Sequence, residues 1–155
     1  MQVFLVRHAD AVAETVEVRD PYRNLSAIGR TQARALGDRM RWHDCTPTHI
    51  WTSPLVRAVQ TAELVAIGMQ SELLIESRPE LAPDGSPRDV VAAANALPPE
   101  SGLVLVGHEP GLSAIGALLV GDPAFPGLAK AEAVRILEGA VRWRFTWDAE
   151  APQKP

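Results

Sequence analysis

Two arginines and two histidines in this sequence have types and positions that suit the handling of a phosphate group. Arg7 and His8 stand together directly after an apolar run, and Arg57 and His108 each follow a further one. Guanidinium groups present planar forks of N–H donors that match phosphate or carboxylate oxygens. A neutral imidazole can attack phosphorus through one ring nitrogen while the other donates to a backbone carbonyl, which sets the tautomer. If the four side chains meet, the residue types predict phosphoryl transfer through a phosphohistidine intermediate, with the arginines stabilising transition-state charge.

Alternating strands and helices would bring these side chains together. Short apolar and β-branched runs predict four strands, at 2–6, 48–53, 72–77 and 102–108. Helical spacing predicts helices at 25–42 (with Ser26 as N-cap), 55–67 (after Pro54), 88–97 and 111–121 (after Pro110). Residues 131–147 read as two further strands joined by a turn at Glu138-Gly139.

This order of elements predicts an α/β fold, a three-layer α/β/α sandwich with a mainly parallel central sheet. The last two strands are expected to form an antiparallel C-terminal pair at or near one edge. We expect one domain over residues 1–148 and a loose tail over 149–155, which is polar and proline-rich. Ligands of open α/β sheets bind outside the carboxyl ends of the strands, where the informative polar residues fall.

Composition narrows the class of protein. The chain has 155 residues, 46% hydrophobic and 22% charged, with a formal net charge of −4. These values are ordinary for a soluble globular protein and point to neither nucleic acid nor an anionic membrane as partner. A single cysteine, Cys45, excludes an intramolecular disulfide. We find no signal peptide or membrane span, so we expect a cytoplasmic protein, and no metal-ligand spacing or cofactor motif.

Three ordered motifs resemble those of the histidine phosphatase superfamily, the phosphoglycerate-mutase-like fold. "LVRHADA" (5–11) is similar to the Arg-His-Gly signature after the first strand of that family. "TSPLVRAVQTAE" (52–63) resembles its Ser-Pro-x-x-Arg-x-x-x-Thr-Ala motif, and "LVLVGHEPGL" (103–112) resembles its late Gly-His. Within that family the chain is similar to the small, SixA-like phosphohistidine phosphatase branch. The similarity lies in the short length and in two stretches, "RNLSAIGRTQA" (23–33) and "RPELAPDG" (78–85).

The resemblance implies a role for each matching residue. His8 would be the nucleophile that takes the phosphoryl group, and Arg7 and Arg57 would bind phosphate oxygens. His108 would donate to the phosphate and stabilise transition-state charge. Arg23, before a Leu-Ser pair where the branch has Leu-Thr, would be a further phosphate ligand. No metal is implied.

The general acid is left between two carboxylates. Glu80 matches the family's position by motif, and Asp84 is the next candidate. An alkyl phosphate leaves as a poor alkoxide and needs a well-placed acid. Phosphohistidine leaves as neutral imidazole once its nitrogen is protonated, so it asks less of the enzyme. The substrate is therefore expected to be phosphohistidine on a protein.

Three positions differ from the family pattern or have two interpretations. Ala9 replaces the hallmark glycine, so the backbone there cannot need a glycine-only conformation. Asn24 replaces a proline, which affects only the stiffness of that loop. Ser53 either shapes the phosphate site or acts only as a turn residue before Pro54.

Two alternatives to a phosphohistidine phosphatase remain open. One is a phosphatase of a small phosphomonoester metabolite, for which a lidded pocket is expected rather than a shallow groove. The other is a non-catalytic phosphate-recognition module, which the presence of His8 disfavours. The chain is too short for a mutase, which needs a closed site that protects its intermediate from water.

Overall fold

One mixed β-sheet organises the part of the chain that the computed structural model describes, residues 1–150. Within this range there are six strands and four α-helices. In chain order they are β1 (Gln2–Arg7), α1 (Ala27–Trp42), β2 (His49–Thr52), α2 (Val56–Met69), β3 (Ile75–Ser77), α3 (Pro87–Asn95), β4 (Gly102–Gly107), α4 (Gly111–Val120), β5 (Glu132–Leu137) and β6 (Ala140–Thr146). Two short 3-10 turns, Asp20–Tyr22 and Pro79–Leu81, precede α1 and α3.

The strand order across the sheet is β3-β2-β4-β1-β5-β6. The first four strands in that order run parallel, with β4 between β2 and β1. β5 is antiparallel to β1. β6 pairs with β5 as an antiparallel hairpin and is the edge strand on that side of the sheet. The predicted fold class, with its antiparallel strand pair at one edge, is confirmed.

Helices cover both faces of the sheet, which completes the three layers. In β1, Phe4 and Val6 face the core formed with α1 and α2, whereas Val3 and Leu5 face the core formed with α3 and α4. β4 alternates in the same way and is buried at every position. Alternate side chains of a strand point to opposite faces, so a strand covered on both sides must be apolar throughout. Cys45 lies in the first core, where burial raises the pKa of its thiol.

β3 is shorter than predicted. Only Ile75–Ser77 pairs, with the last three residues of β2, and the predicted strand over 72–77 loses its first half. β3 lies at the edge of the sheet, and its pairing with β2 does not extend to His49, the first residue of β2. Leu74 is consequently 91% exposed.

Two helices begin close to the predicted points. Ser26 caps α1 by accepting a hydrogen bond from the N–H of Gly29 at 3.0 Å, as predicted. α2 begins at Val56 rather than at Leu55 because Leu55 has extended backbone dihedral angles. The N–H of Leu55 donates instead to Ser53 Oγ at 3.2 Å, which holds the turn before the helix.

The carboxyl-terminal end of the described chain continues past β6. Ala149 donates its N–H to the carbonyl of Thr146 and packs against the first core. Most of the predicted loose tail, residues 151–155, lies outside the described residues. In residues 1–150 no helix combines the length and the apolar character that a bilayer crossing requires.

The start of α1 packs directly on the backbone that follows β1, and this contact is testable. A Cβ on Gly29 would lie 1.9 Å from the carbonyl oxygen of Asp10, so Gly29→Ala must displace either α1 or the chain next to His8. We expect a loss of about 1–3 kcal/mol in the free energy of unfolding, measured by urea denaturation. Gly111→Ala is the control, since a Cβ there meets no atom within 4 Å. Equal stability of the two variants would contradict the close packing.

Candidate active site

The register of the parallel strands brings the two motif histidines to one point. Arg7 pairs with Gly107 at the ends of β1 and β4, so His8 and His108 are the next residue on each strand. The N–H of His8 donates to the carbonyl of Gly107 at 3.1 Å. The two imidazole rings lie 5.1 Å apart between centroids, although 100 positions separate them in the chain. Ser53 follows β2 at the same edge.

The His8 ring is held in one tautomer. Its Nδ1 lies 2.8 Å from the carbonyl oxygen of Ala9. A carbonyl oxygen can only accept, so Nδ1 carries the proton and Nε2 keeps its lone pair. His8 is 7% exposed. The surrounding atoms therefore restrict the orientation of the ring, and a small part of its surface remains accessible. The sequence-based expectation of a backbone carbonyl partner for this ring is confirmed.

His108 has one partnered nitrogen and one free nitrogen. Nε2 lies 2.8 Å from Ser53 Oγ, and that hydroxyl oxygen already accepts the N–H of Leu55. Among residues 1–150 the Ser53 hydroxyl has no other acceptor for its proton, so donation to Nε2 favours the tautomer with the His108 proton on Nδ1. Nδ1 is buried and has no hydrogen-bond partner among residues 1–150. A buried, unpaired donor beside two arginines is suited to an anion.

Both rings are neutral at physiological pH. Burial lowers the pKa of His8 to about 4, and the nearby Arg57 and Arg7 charges contribute to that shift. Burial also lowers the pKa of His108 to about 3, with a further contribution from His8. Neutral imidazole is the form that can act as a nucleophile.

Arg57 is a buried cation that one acidic residue engages. It lies at the second position of α2, 6% exposed. Its Nη1 donates to the main-chain carbonyl of Asp20 at 2.8 Å, and its Nη2 lies 3.3 Å from the Asp20 carboxylate. The carboxylate also accepts a hydrogen bond from Arg23 Nη1 at 3.0 Å. This bond and the charge of Arg57 hold the pKa of Asp20 below its usual value.

Arg23 is near the site but its guanidinium is already engaged. Nε donates to the carbonyl of Val12 at 2.7 Å, and Nη1 pairs with Asp20. The structure thus links the two predicted phosphate ligands Arg23 and Arg57 through one carboxylate.

Arg7 is oriented from the far side of the sheet. Its Nη1 donates to the carbonyl of Leu128 at 2.8 Å, in the segment between α4 and β5. Its Nε is buried without a hydrogen-bond partner among the described residues. The guanidinium therefore has free donors beside His8.

Thr61 ties α2 to the end of β1. Its hydroxyl donates to the carbonyl of Arg57 at 2.7 Å and accepts the N–H of Ala9 at 3.1 Å. Ala9 is fully buried and is not among the residues with positive φ, so alanine suffices there. This contact fixes the distance between the nucleophile's strand and the helix that carries Arg57.

A small cleft opens beside His108. Glu80 lines it together with the 3-10 turn that it belongs to and the start of α4. The cleft offers about 20 Å³ to the centres of water molecules, space for one or two of them. Glu80 Oε2 is buried with no hydrogen-bond partner in the described chain, whereas Asp84 is exposed and does not line the cleft.

Three contributors to the site escaped sequence reasoning. Asp20 and Lys130 lie in polar loops that carry no motif. Lys130 pairs with Asp10 at 3.1 Å, and its charge contributes to the low pKa of His8. Leu128 acts through its carbonyl, for which no side-chain pattern exists. In residues 1–150 no three His, Cys, Asp or Glu side chains are grouped as metal ligands.

Comparison with known proteins supports these motifs. A family model, the histidine phosphatase superfamily (branch 1), matches residues 3–82. The phosphohistidine phosphatase SixA of Escherichia coli is 30% identical over 112 residues, which cover 71% of this chain and 68% of that protein. An uncharacterised protein of Picosynechococcus is 29% identical over 158 residues, which cover 97% of this chain and 93% of that protein.

Solved structures agree with the sequence matches. The protein histidine phosphatase SixA complexed with tungstate superposes with a TM-score of 0.87 at 26% identity, over 95% of this chain and 97% of that chain. A mycobacterial glucosyl-3-phosphoglycerate phosphatase shares the fold, with a TM-score of 0.66 at 20% identity over 86% and 88% of the chains. The family match over more than half of the chain, together with the SixA likeness, shows that this protein belongs to the histidine phosphatase superfamily and is a SixA-like phosphatase.

Proposed function

We propose that this phosphatase hydrolyses phosphohistidine on a protein, through a phosphohistidine intermediate on His8. The observation that carries the mechanism is the pair of neutral imidazoles at the ends of β1 and β4. His8 keeps a lone pair at Nε2. His108, 5.1 Å away between ring centroids, has an Nδ1 without a partner among residues 1–150, and this nitrogen carries the proton in the tautomer that Ser53 favours. A nucleophile and a donor are thus present in the protonation states that phosphoryl transfer requires.

The first step transfers the phosphoryl group to the enzyme. His8 Nε2 attacks phosphorus, a new N–P bond forms, and the N–P bond of the substrate breaks. The released nitrogen takes a proton from solvent water, and the leaving imidazole departs neutral. Arg7, Arg57 and the Nδ1–H of His108 face the phosphoryl oxygens and stabilise their charge.

The second step restores the enzyme. Water attacks phosphorus, the His8 N–P bond breaks, and inorganic phosphate leaves while Nε2 regains its lone pair. Asp20 engages one donor on each of Nη1 and Nη2 of Arg57 in the free protein. The buried Nε of Arg57 has no partner among the described residues and is available to a phosphate oxygen. Arg23 uses Nε and Nη1 for Val12 and Asp20, which leaves its Nη2 for phosphate.

A protein-bound substrate needs no enclosing pocket. Pockets that enclose small ligands measure ~300–1,000 Å³, and the cleft beside His108, which His8, Arg7 and Arg57 do not line, has space for only one or two waters. A phosphoryl group on an exposed side chain of another protein can reach the site without being enclosed. The likeness to SixA, a phosphohistidine phosphatase, supports the same substrate class.

A small phosphomonoester is the second candidate, and one observation favours it. Glu80 places a buried, unpaired carboxylate oxygen in a cleft that His108 also lines. A carboxylic acid there could protonate an alkoxide leaving group, which phosphohistidine does not need. A role limited to phosphate recognition has less support, because the neutral, oriented ring of His8 is of no use to simple anion binding.

The substrate class can be decided by a direct comparison. Purified protein, with EDTA present, is given a phosphohistidine-bearing phosphotransfer domain and a panel of sugar and nucleoside phosphomonoesters. We expect rapid release of phosphate from phosphohistidine and none with His8→Ala. Trapping of an acid-labile phosphoryl group on the wild-type chain would identify the intermediate. Preference for a monoester would reject the proposed substrate, and phosphate binding without any turnover would reject catalysis.

Glu80 separates the two substrate classes. We expect Glu80→Gln to lower kcat for a phosphomonoester by about 100-fold or more, while hydrolysis of phosphohistidine changes little. Asp84→Asn, in the same loop but exposed, is the matched control and should change neither rate. An equal loss on both substrates would show that Glu80 is not specific to alkoxide leaving groups.

The low pKa of the two histidines has a measurable pH signature. NMR titration of the ring protons should give midpoints near 4 for His8 and near 3 for His108. In the unfolded chain the two histidines bind protons at about pH 6.5, whereas in the folded protein they stay neutral at that pH. The free energy of unfolding should therefore decrease as pH falls from 6.5 towards 4. A midpoint at or above 6.5 for either ring would contradict this electrostatic description.

A further inference from the structure

The segment from 121 to 131, between α4 and β5, carries none of the motifs, yet it reaches the phosphate site. The family match ends at residue 82, and the last motif ends at Leu112. Leu128 is buried, and its carbonyl accepts the hydrogen bond from Arg7 Nη1. Because Arg7 Nε has no partner within residues 1–150, this carbonyl is the contact that sets the direction of the guanidinium.

Two carboxylates hold that carbonyl through the backbone. Glu132, the first residue of β5, accepts the N–H of Ala129 at 2.6 Å. This N–H and the Leu128 carbonyl belong to one planar peptide group, so fixing one end fixes the other. Glu109 accepts the N–H of Leu128 at 3.1 Å, and its second oxygen accepts the Ser113 hydroxyl at 2.6 Å.

Glu132 is the more firmly held of the two. It is 8% exposed, and its Oε1 accepts a hydrogen bond from Arg144 Nε at 2.8 Å. Arg144 also donates to the carbonyl of Gly127 at 2.9 Å, so the β5–β6 hairpin holds the residues on both sides of Leu128. A negative charge on the N–H end of a peptide strengthens its carbonyl as an acceptor, here for the positive charge of Arg7.

We propose that Glu132 is a positioning residue for Arg7, acting through the Leu128–Ala129 peptide, with Glu109 holding the preceding Gly127–Leu128 peptide through the Leu128 N–H. Neither carboxylate contacts the reacting atoms. The C-terminal hairpin thereby becomes part of the phosphate site. The inference rests on the proposed function in one respect, that Arg7 binds the phosphoryl group.

A double-mutant cycle on the binding of inorganic phosphate tests this role. Phosphorus NMR titration, which follows affinities into the millimolar range, compares Glu132→Ala in the wild-type and Arg7→Met backgrounds. We expect Glu132→Ala to weaken phosphate binding by about tenfold with Arg7 present and by less than about twofold without it. Glu132→Gln keeps an acceptor for the Ala129 N–H and should recover part of the loss.

Two further variants keep the test independent of folding. Arg142→Gln breaks only the exposed pair with Glu138 on the same hairpin and should leave phosphate affinity unchanged. If Glu132→Ala does not fold, Glu109→Ala, at a less buried position, is placed in the same cycle with the same expectation.

The possible failures are distinguishable. An equal loss with and without Arg7 would overturn the positioning role, because Glu132 would then act independently of that guanidinium, and would leave the proposed function intact. Unchanged phosphate affinity in Arg7→Met would overturn both this inference and the assignment of Arg7 in the proposed function.

Discussion

Parallel pairing of β1 with β4 is the constraint on which the site depends. The two strands are adjacent, in register from their first residue to their last, and buried on both faces by separate pairs of helices. Their next residues, His8 and His108, must therefore emerge side by side at one edge of the sheet. Because strand pairing and core packing position them, the relative placement of the two rings does not depend on a flexible loop. The hydrogen bond from the His8 N–H to Gly107 extends the ladder one residue into the site.

Burial of the rings is what gives the site its chemistry. Removal from water keeps both imidazoles neutral among nearby guanidinium groups, which is the state needed for attack on phosphorus and for donation to its oxygens. Different groups hold the two arginines. Arg57 donates hydrogen bonds to Asp20, and Arg7 donates one to the backbone carbonyl of Leu128. In the proposed mechanism, an incoming phosphoryl group would meet guanidinium groups that the protein already holds near His8, which limits the reorganisation needed during the reaction.

How much of this was predictable depended on whether a feature has a local signature. Apolar runs and helix-start signals were enough to predict the fold class and the Ser26 cap. The motifs at the strand ends predicted that four side chains meet, those of Arg7, His8, Arg57 and His108. The length of β3 was not predictable, because an apolar run does not show which of its residues pair with the neighbouring strand. The choice of Glu80 over Asp84 as the carboxylate in the cleft needed coordinates. Asp20 and the Leu128 carbonyl were missed because an unpatterned loop residue and a backbone oxygen leave no trace in residue types.

The contact between Asp20 and Arg57 also bears on the release of product. In the proposed mechanism, phosphate competes with the carboxylate and the carbonyl of Asp20 for the Nη donors of Arg57. The same two groups of Asp20 can bind Arg57 again when the phosphate ion dissociates. An enzyme whose product is a small, abundant anion would otherwise be inhibited by it. Under the proposed mechanism, competition from Asp20 would therefore lower the affinity for free phosphate and reduce inhibition by the product.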